Sequence, residues 1–185
     1  MCTASSLAVL VSGCSSTGGN SASQSRPDSV SAGITAAATP SAGTASATPN
    51  KPLPADAEKV ARAFTTAYAQ HNAADGGDKS YAEAGARAAR YATGELVEVL
   101  AQQRPGQEAP WNALRSEKAV QTAAIQSVVI PDGAPAVTSS SALVRVGYTL
   151  TTKPQTGPAR KSGEQLALRL ERTSGGWRVI ALPWA

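Results

Sequence analysis

The sequence predicts an α+β fold: N-terminal helices packed on a curved antiparallel sheet of about four strands, preceded by a disordered tail. Three observations carry this expectation. None of the aromatic residues, one Phe, three Trp and four Tyr, lies before residue 64, so the first third of the chain lacks the large side chains from which a core is packed. Residues 55–100 place apolar side chains at helical spacing, whereas residues 120–182 alternate them at strand spacing. Helices followed by a run of strands is the α+β order, in which one curved sheet wraps one long helix.

Residues 2–14 form an apolar stretch that ends in small residues and a cysteine, with Leu7-Ala8-Val9-Leu10 leading into Val11-Ser12-Gly13-Cys14. Small side chains let a protease pocket hold an extended backbone, and a thiol is the soft nucleophile that alkylation requires. The segment resembles the end of a bacterial lipoprotein signal peptide. By that resemblance residues 1–14 are the signal, Val11, Ser12 and Gly13 complete the lipobox, and Cys14 receives a diacylglycerol and becomes the first mature residue. Residues 1–11 hold no Lys or Arg, where secretory signals carry one or more.

Residues 15–54 are a tether. Ser, Thr, Ala, Gly and Pro make up 31 of these 40 residues, and only Arg26, Asp28 and Lys51 are charged. Such a stretch cannot bury enough surface to offset its ordering entropy. A flexible chain of that length has an r.m.s. span of about 35 Å and an extended reach of roughly 130 Å.

The domain is expected over residues 55–185. A first helix over 55–74 carries Ala57, Val60, Ala61, Phe64, Ala67, Tyr68 and His71 along one stripe, with Asp56 and Glu58 where the helix N-terminus favours negative charge. The run from Asp75 to Asp78, with Gly76 and Gly77 inside it, breaks it. Ser80 and Glu83 fit a capping box for a second helix to about Ala92, and Thr93 caps a short third helix through Leu96, Val97 and Leu100. Residues 120–130 are rich in strand formers and stop at Pro131-Asp132-Gly133. Residues 142–150 alternate, with Ala142, Val144, Val146, Tyr148 and Leu150 on one face. Two prolines and two glycines make residues 153–163 a loop, after which Leu166, Leu168 and Leu170 alternate in a further strand. Ser174-Gly175-Gly176 then turns the chain into Trp177-Arg178-Val179-Ile180-Ala181-Leu182.

This order, finishing in Gly175-Gly176-Trp177-Arg178-Val179, resembles the cone-shaped nuclear transport factor 2-like superfamily. In style it is similar to actinobacterial membrane-tethered members, the Mce-associated proteins and the scaffold proteins of conjugation and type IV secretion. The resemblance implies a cone-like domain over residues 55–185 in a secreted lipoprotein. Enzymes of that shape place an Asp or His base inside the cone.

The residues themselves favour contact over catalysis. His71 is read as a helix C-terminal residue that suits the macrodipole. Asp75, Asp78 and Asp132 sit beside glycines, where carboxylates cap backbone groups. Tyr68 and Tyr148 are a possible pocket pair, read first as core aromatics with a satisfied hydroxyl. No catalytic residue, metal ligand set, nucleophile elbow or phosphate loop is predicted, and no cofactor beyond the covalent diacylglycerol on Cys14. Two cysteines and one histidine exclude a multi-cysteine or histidine-built metal centre.

Seventeen Lys and Arg against thirteen Asp and Glu give a net charge of +4. Arg145 and Arg169 fall on the sheet face opposite the apolar side, and Lys153, Arg160 and Lys161 cluster in one loop; together the five are a possible basic contact surface. The expected partners are the lipid bilayer, through the anchor, and another cell-envelope protein, with no nucleic acid. The expected location is extracytoplasmic, on the outer face of the cytoplasmic membrane. The expected function is a non-catalytic binding or scaffold module. The alternatives are a small-molecule-binding domain, hydrolase or isomerase using the cone interior with Tyr68, Tyr148 and a carboxylate, and a component of a conjugation or secretion apparatus.

Overall fold

A computed structural model describes residues 51–183. The expected signal segment, Cys14 with its lipobox, and the tether up to residue 50 lie outside the described residues.

Pro54 opens helix α1 (Ala55–Ala69). Its φ of −58° already matches a helix, and its carbonyl accepts the Glu58 N–H at 3.0 Å. Ala57, Ala61 and Phe64 recur at helical spacing and are fully buried. The two alanines let the helix backbone settle close to the sheet while Phe64 fills the space beyond them. The helix ends at Ala69, five residues short of the expected 55–74. Gln70 turns extended, with φ −86° and ψ 132°, and His71–Asn72 become strand β1, paired antiparallel with Gln121 and Val120. His71 is therefore a strand residue and not a helix C-terminal one.

Helix α2 (Ala82–Ala88) runs on as a 3-10 turn, Ala89–Tyr91, close to the expected end. The expected capping box does not form at Ser80: the Glu83 carboxylate accepts the N–H of Lys79 at 3.0 Å, one residue earlier. Helix α3 (Glu95–Ala101) starts from Gly94 at φ 65°, not from a Thr93 side-chain cap. Thr93 instead donates its N–H to the Val179 carbonyl at 3.0 Å, tying this segment to the last strand. Helix α4 (Glu108–Ser116), entered through a 3-10 turn Pro105–Gln107, was not foreseen. Only Trp111 and Leu114 mark its buried face, and Pro110 is tolerated because it sits in the first turn.

Strands β2 (Val120–Val129), β3 (Ser141–Lys153), β4 (Arg160–Thr173) and β5 (Gly176–Ala181) complete a curled five-stranded antiparallel sheet in the order β1-β2-β3-β4-β5. The fold is thus α+β, with one strand more than expected. Register shifts between Ile125 and Ser127 and between Arg169 and Leu170 bend it, as an extra, unpaired residue lengthens one strand of a pair relative to the other. Gly176 takes φ 99° in the last hairpin turn, a conformation that side chains disfavour. The expected loop over 153–163 is shorter than its prolines and glycines suggest. Lys153, Arg160, Lys161 and Gly163 all lie in strands, Thr152 facing Arg160 and Thr149 facing Gly163. That end of the hairpin has no apolar alternation because residues 160–165 are exposed.

The inner face of the sheet supplies Val144, Val146, Leu168, Leu170 and Val179, each fully buried against α1. A smaller cluster of Ala73, Trp111, Leu114 and Ala119, with Tyr81 packed on it, seats α4 at the start of β2.

Candidate functional site

Antiparallel register decides which basic residues share a surface. On β3 the buried residues Ala142, Val144 and Val146 are even-numbered, so Arg145 and Lys153 project from the outer face. Arg145 faces Ala167, Thr151 faces Lys161 and Leu143 faces Arg169, which puts Lys161 and Arg169 on that same face. These four side chains are exposed, and none makes an ion pair among the described residues. They fall in two groups, Arg145 with Arg169 and Lys153 with Lys161, separated by small and uncharged residues such as Gly147, Thr149 and Gly163. Arg160 does not join them: it faces Thr152 on the inner side and pairs with Glu117.

Tyr68 and Tyr148 both lie on the inner side. The Tyr68 ring stacks on Phe64, with centroids 5.8 Å apart, and belongs to the core margin. Tyr148 faces Ile125 and Glu164 across its two neighbouring strands. Burial pushes its hydroxyl up to about 12, and the Glu164 carboxylate adds to the rise, so it is a proton-bearing group at neutral pH. Glu164 is exposed, and the buried polar side chains of the described domain are Thr65 and His71.

The short strand β1 brings His71 to a polar cluster. It is 3% exposed, its ring 3.9 Å from that of Tyr81. Burial lowers its pKa, so the imidazole is neutral; Nδ1 lies 3.3 Å from the Ala69 carbonyl and donates to it in the tautomer that leaves Nε2 as a bare acceptor. Nε2 is buried without a partner. Nearby, Asp78 caps the Asn72 N–H at 2.9 Å, as its glycine-flanked position predicts, but it also holds both terminal nitrogens of Arg87. Burial by itself raises the Asp78 carboxyl; the Arg87 and Asn72 contacts outweigh this and hold it below the usual carboxylate value. Arg87 also reaches the Gln70 carbonyl at 2.6 Å, locking the residue where α1 gives way to β1.

The other face of this cluster opens to solvent. Tyr81 forms one wall of a cleft of about 320 Å³ whose other walls are Trp111, the 3-10 turn with Arg104 and Pro105, and the first turn of α4 with Glu108. Tyr81 and Trp111 are not stacked on one another. The Trp111 indole N–H is buried without an acceptor. Arg104 and Glu108 are exposed, and neither forms an ion pair with the other or with any described residue. Pattern reasoning missed this cleft because it depends on α4, whose two-residue apolar stripe gives almost no periodic signal. The described residues contain no group of three or more side chains suited to a metal ion.

No family model matches the chain, and no curated protein matches it. A solved structure from Xanthomonas campestris, described as a calcium/calmodulin dependent protein kinase II association domain, is similar at 14% identity and a TM-score of 0.31, over 75% of this chain and 97% of that one. A likeness of that size carries no argument about this chain's role.

Proposed function

We propose that this protein is a membrane-anchored extracytoplasmic lipoprotein whose domain acts by contact, as a non-catalytic binding or scaffold module of the bacterial cell envelope. The observation that carries the contact reading is the outer sheet face, where Arg145, Lys153, Lys161 and Arg169 stand exposed and unpaired while the inner face is filled by Phe64, Val144, Val146, Leu168 and Leu170. A filled interior leaves recognition to the surface. The nuclear transport factor 2-like, cone-shaped description belongs to the same proposal, since α1 lies along the inner face of one curled sheet.

The anchor is supported by Val11-Ser12-Gly13-Cys14. Two acyl chains of a diacylglycerol hold a protein on a bilayer where one binds only marginally. The tether then keeps the domain and an envelope partner at high local concentration. A component of a conjugation or secretion apparatus is one form such a partner takes. The interior-enzyme alternative needs a buried carboxylate beside Tyr68 and Tyr148, and the carboxylate facing Tyr148, Glu164, is exposed. Replacing Cys14 with Ala is expected to move the protein from the membrane fraction to the medium, read by fractionation and immunoblot; an unchanged distribution overturns the anchor.

A further inference from the structure

We infer that the open edge of strand β2 is a self-association site, which pairs antiparallel with the same edge of a second copy of this chain and joins two five-stranded sheets into one. The inference goes beyond the sheet-face contact and depends on neither that contact nor the anchor. The two edges of the sheet differ. At β5 the chain between α2 and α3 lies alongside the strand: Ala92 bridges Val179, the Thr93 N–H bonds the Val179 carbonyl at 3.0 Å, and Trp177 and Val179 are buried. At the other side β1 covers β2 only at Val120 and Gln121. Because β2 is ten residues long and β1 two, the eight residues 122–129 keep an edge to which no described residue offers a backbone partner. Half the backbone groups of such a stretch point away from β3, and each is a hydrogen-bonding group that the domain leaves to solvent.

The sequence of this edge guards it little. Free edges are commonly protected by Lys, by Pro or by a bulge. Strands β3, β4 and β5 all carry charge, Arg145, Arg169 and Arg178 among it, whereas residues 120–130 hold no charge and no proline. Apolar side chains along the edge remain incompletely covered: Val129 is 47% exposed, and Ile125, Val128 and Ile130 are only partly buried against the core. An added strand covers them as the α2–α3 connection covers Val179.

Three features select a second copy as the occupant. An uncharged strand meets its own sequence with no like charges opposed. The free edge is bounded by β1 at one end and at the other by Pro131, which has no N–H to donate. Two-fold antiparallel pairing lays the Pro131 end of each copy beside β1 of the other, so both stretches pair over their whole length and stop together. The bulge at Gln126 is the edge's one protective device, and it falls at the middle of residues 122–129. The two-fold axis therefore sets bulge beside bulge, and the extra length of each strand is matched by the other.

The test is sedimentation equilibrium of the full chain carrying Cys14→Ser, which removes the expected lipidation site, from about 1 to 200 µM, a range that captures weak as well as stable dimers. A reversible dimer is expected. Gln126 is exposed and lies next to the axis, so Gln126→Lys and Gln126→Glu, each keeping the wild-type circular dichroism, are expected to weaken dimerisation at least about tenfold. An equimolar mixture of the two variants is expected to restore it. A monomer throughout the range, the outcome if the edge serves a different extended chain or none, overturns the inference. A dimer that both single variants leave intact also overturns it, as does a mixture that associates no better than either variant alone. Failure here with the sheet-face contact intact removes the edge pairing alone and leaves the proposed function standing.

Discussion

His71 is 3% exposed and neutral, held by the Ala69 carbonyl at one nitrogen and bare at the other. Its folded-state pKa lies below the ordinary value of 6.5, chiefly because burial penalises the charged ring. The unfolded chain therefore takes up a proton near pH 6.5 while the folded chain does not. Stability is complete above pH 6.5 and declines as pH falls toward the folded-state value, by at most about 1.4 kcal/mol per pH unit. Urea-unfolding midpoints measured from pH 7.5 to 5 should fall for the wild type and stay flat for His71→Phe; equal slopes would show that His71 titrates freely. Asp78 acts in a separate window, because its lowered pKa contributes stability that is lost only as pH drops below its ordinary value of 3.8. His71 shows what pattern reading misses at this scale. One histidine at the end of a helical stripe looks like a helix terminus, and nothing local announces that two residues will pair with Val120 and Gln121 far along the chain.

Helices α2 and α3 meet at Gly85, where an added Cβ would overlap the carbonyl oxygen of Leu100. Backbone cannot yield as a flexible side chain does, so the helices would have to separate. Gly85→Ala should cost about 1–3 kcal/mol and lower the melting temperature by several degrees. Gly106→Ala, with open space around the new Cβ, is the control expected to stay within about 0.5 kcal/mol. Elements whose apolar residues keep a regular period are legible in the sequence: α1, the core ends of β3 and β4, and β5 with its Gly175-Gly176 turn. Those whose partners are few or distant were not. Strand β1 is two residues long, α4 shows two apolar residues, and the exposed end of β4 alternates nothing.

Across the whole molecule, charge is arranged by the sheet. Arg145 and Arg169 stand at one end of the outer face, Lys153 and Lys161 at the other. Changing all four to Gln brings the formal charge from +4 to zero while altering exposed positions only. Stability should change little, whereas in-membrane cross-linking to an envelope partner should fall. The wild-type interaction should weaken as salt shortens the Debye length below about 8 Å. Cross-linking that is insensitive to both the substitutions and salt would assign the contact to another surface.

The sequence by itself carries the expectation that the packed domain lies in the later two thirds of the chain, because aromatic side chains supply much of a core and none precedes residue 64. It also determined the α+β order and most of the sheet's buried face, because burial imposes a period of 3.6 or 2 on the residues that share it. Tertiary structure alone decided the rest. Register sent Arg160 to the inner face and its four basic companions to the outer one, and the pairing of β1 with β2 buried His71. The docking of α4 brought Trp111 and Tyr81 into the lining of one cleft. These outcomes depend on contacts between residues tens of positions apart, and local periodicity carries no record of them.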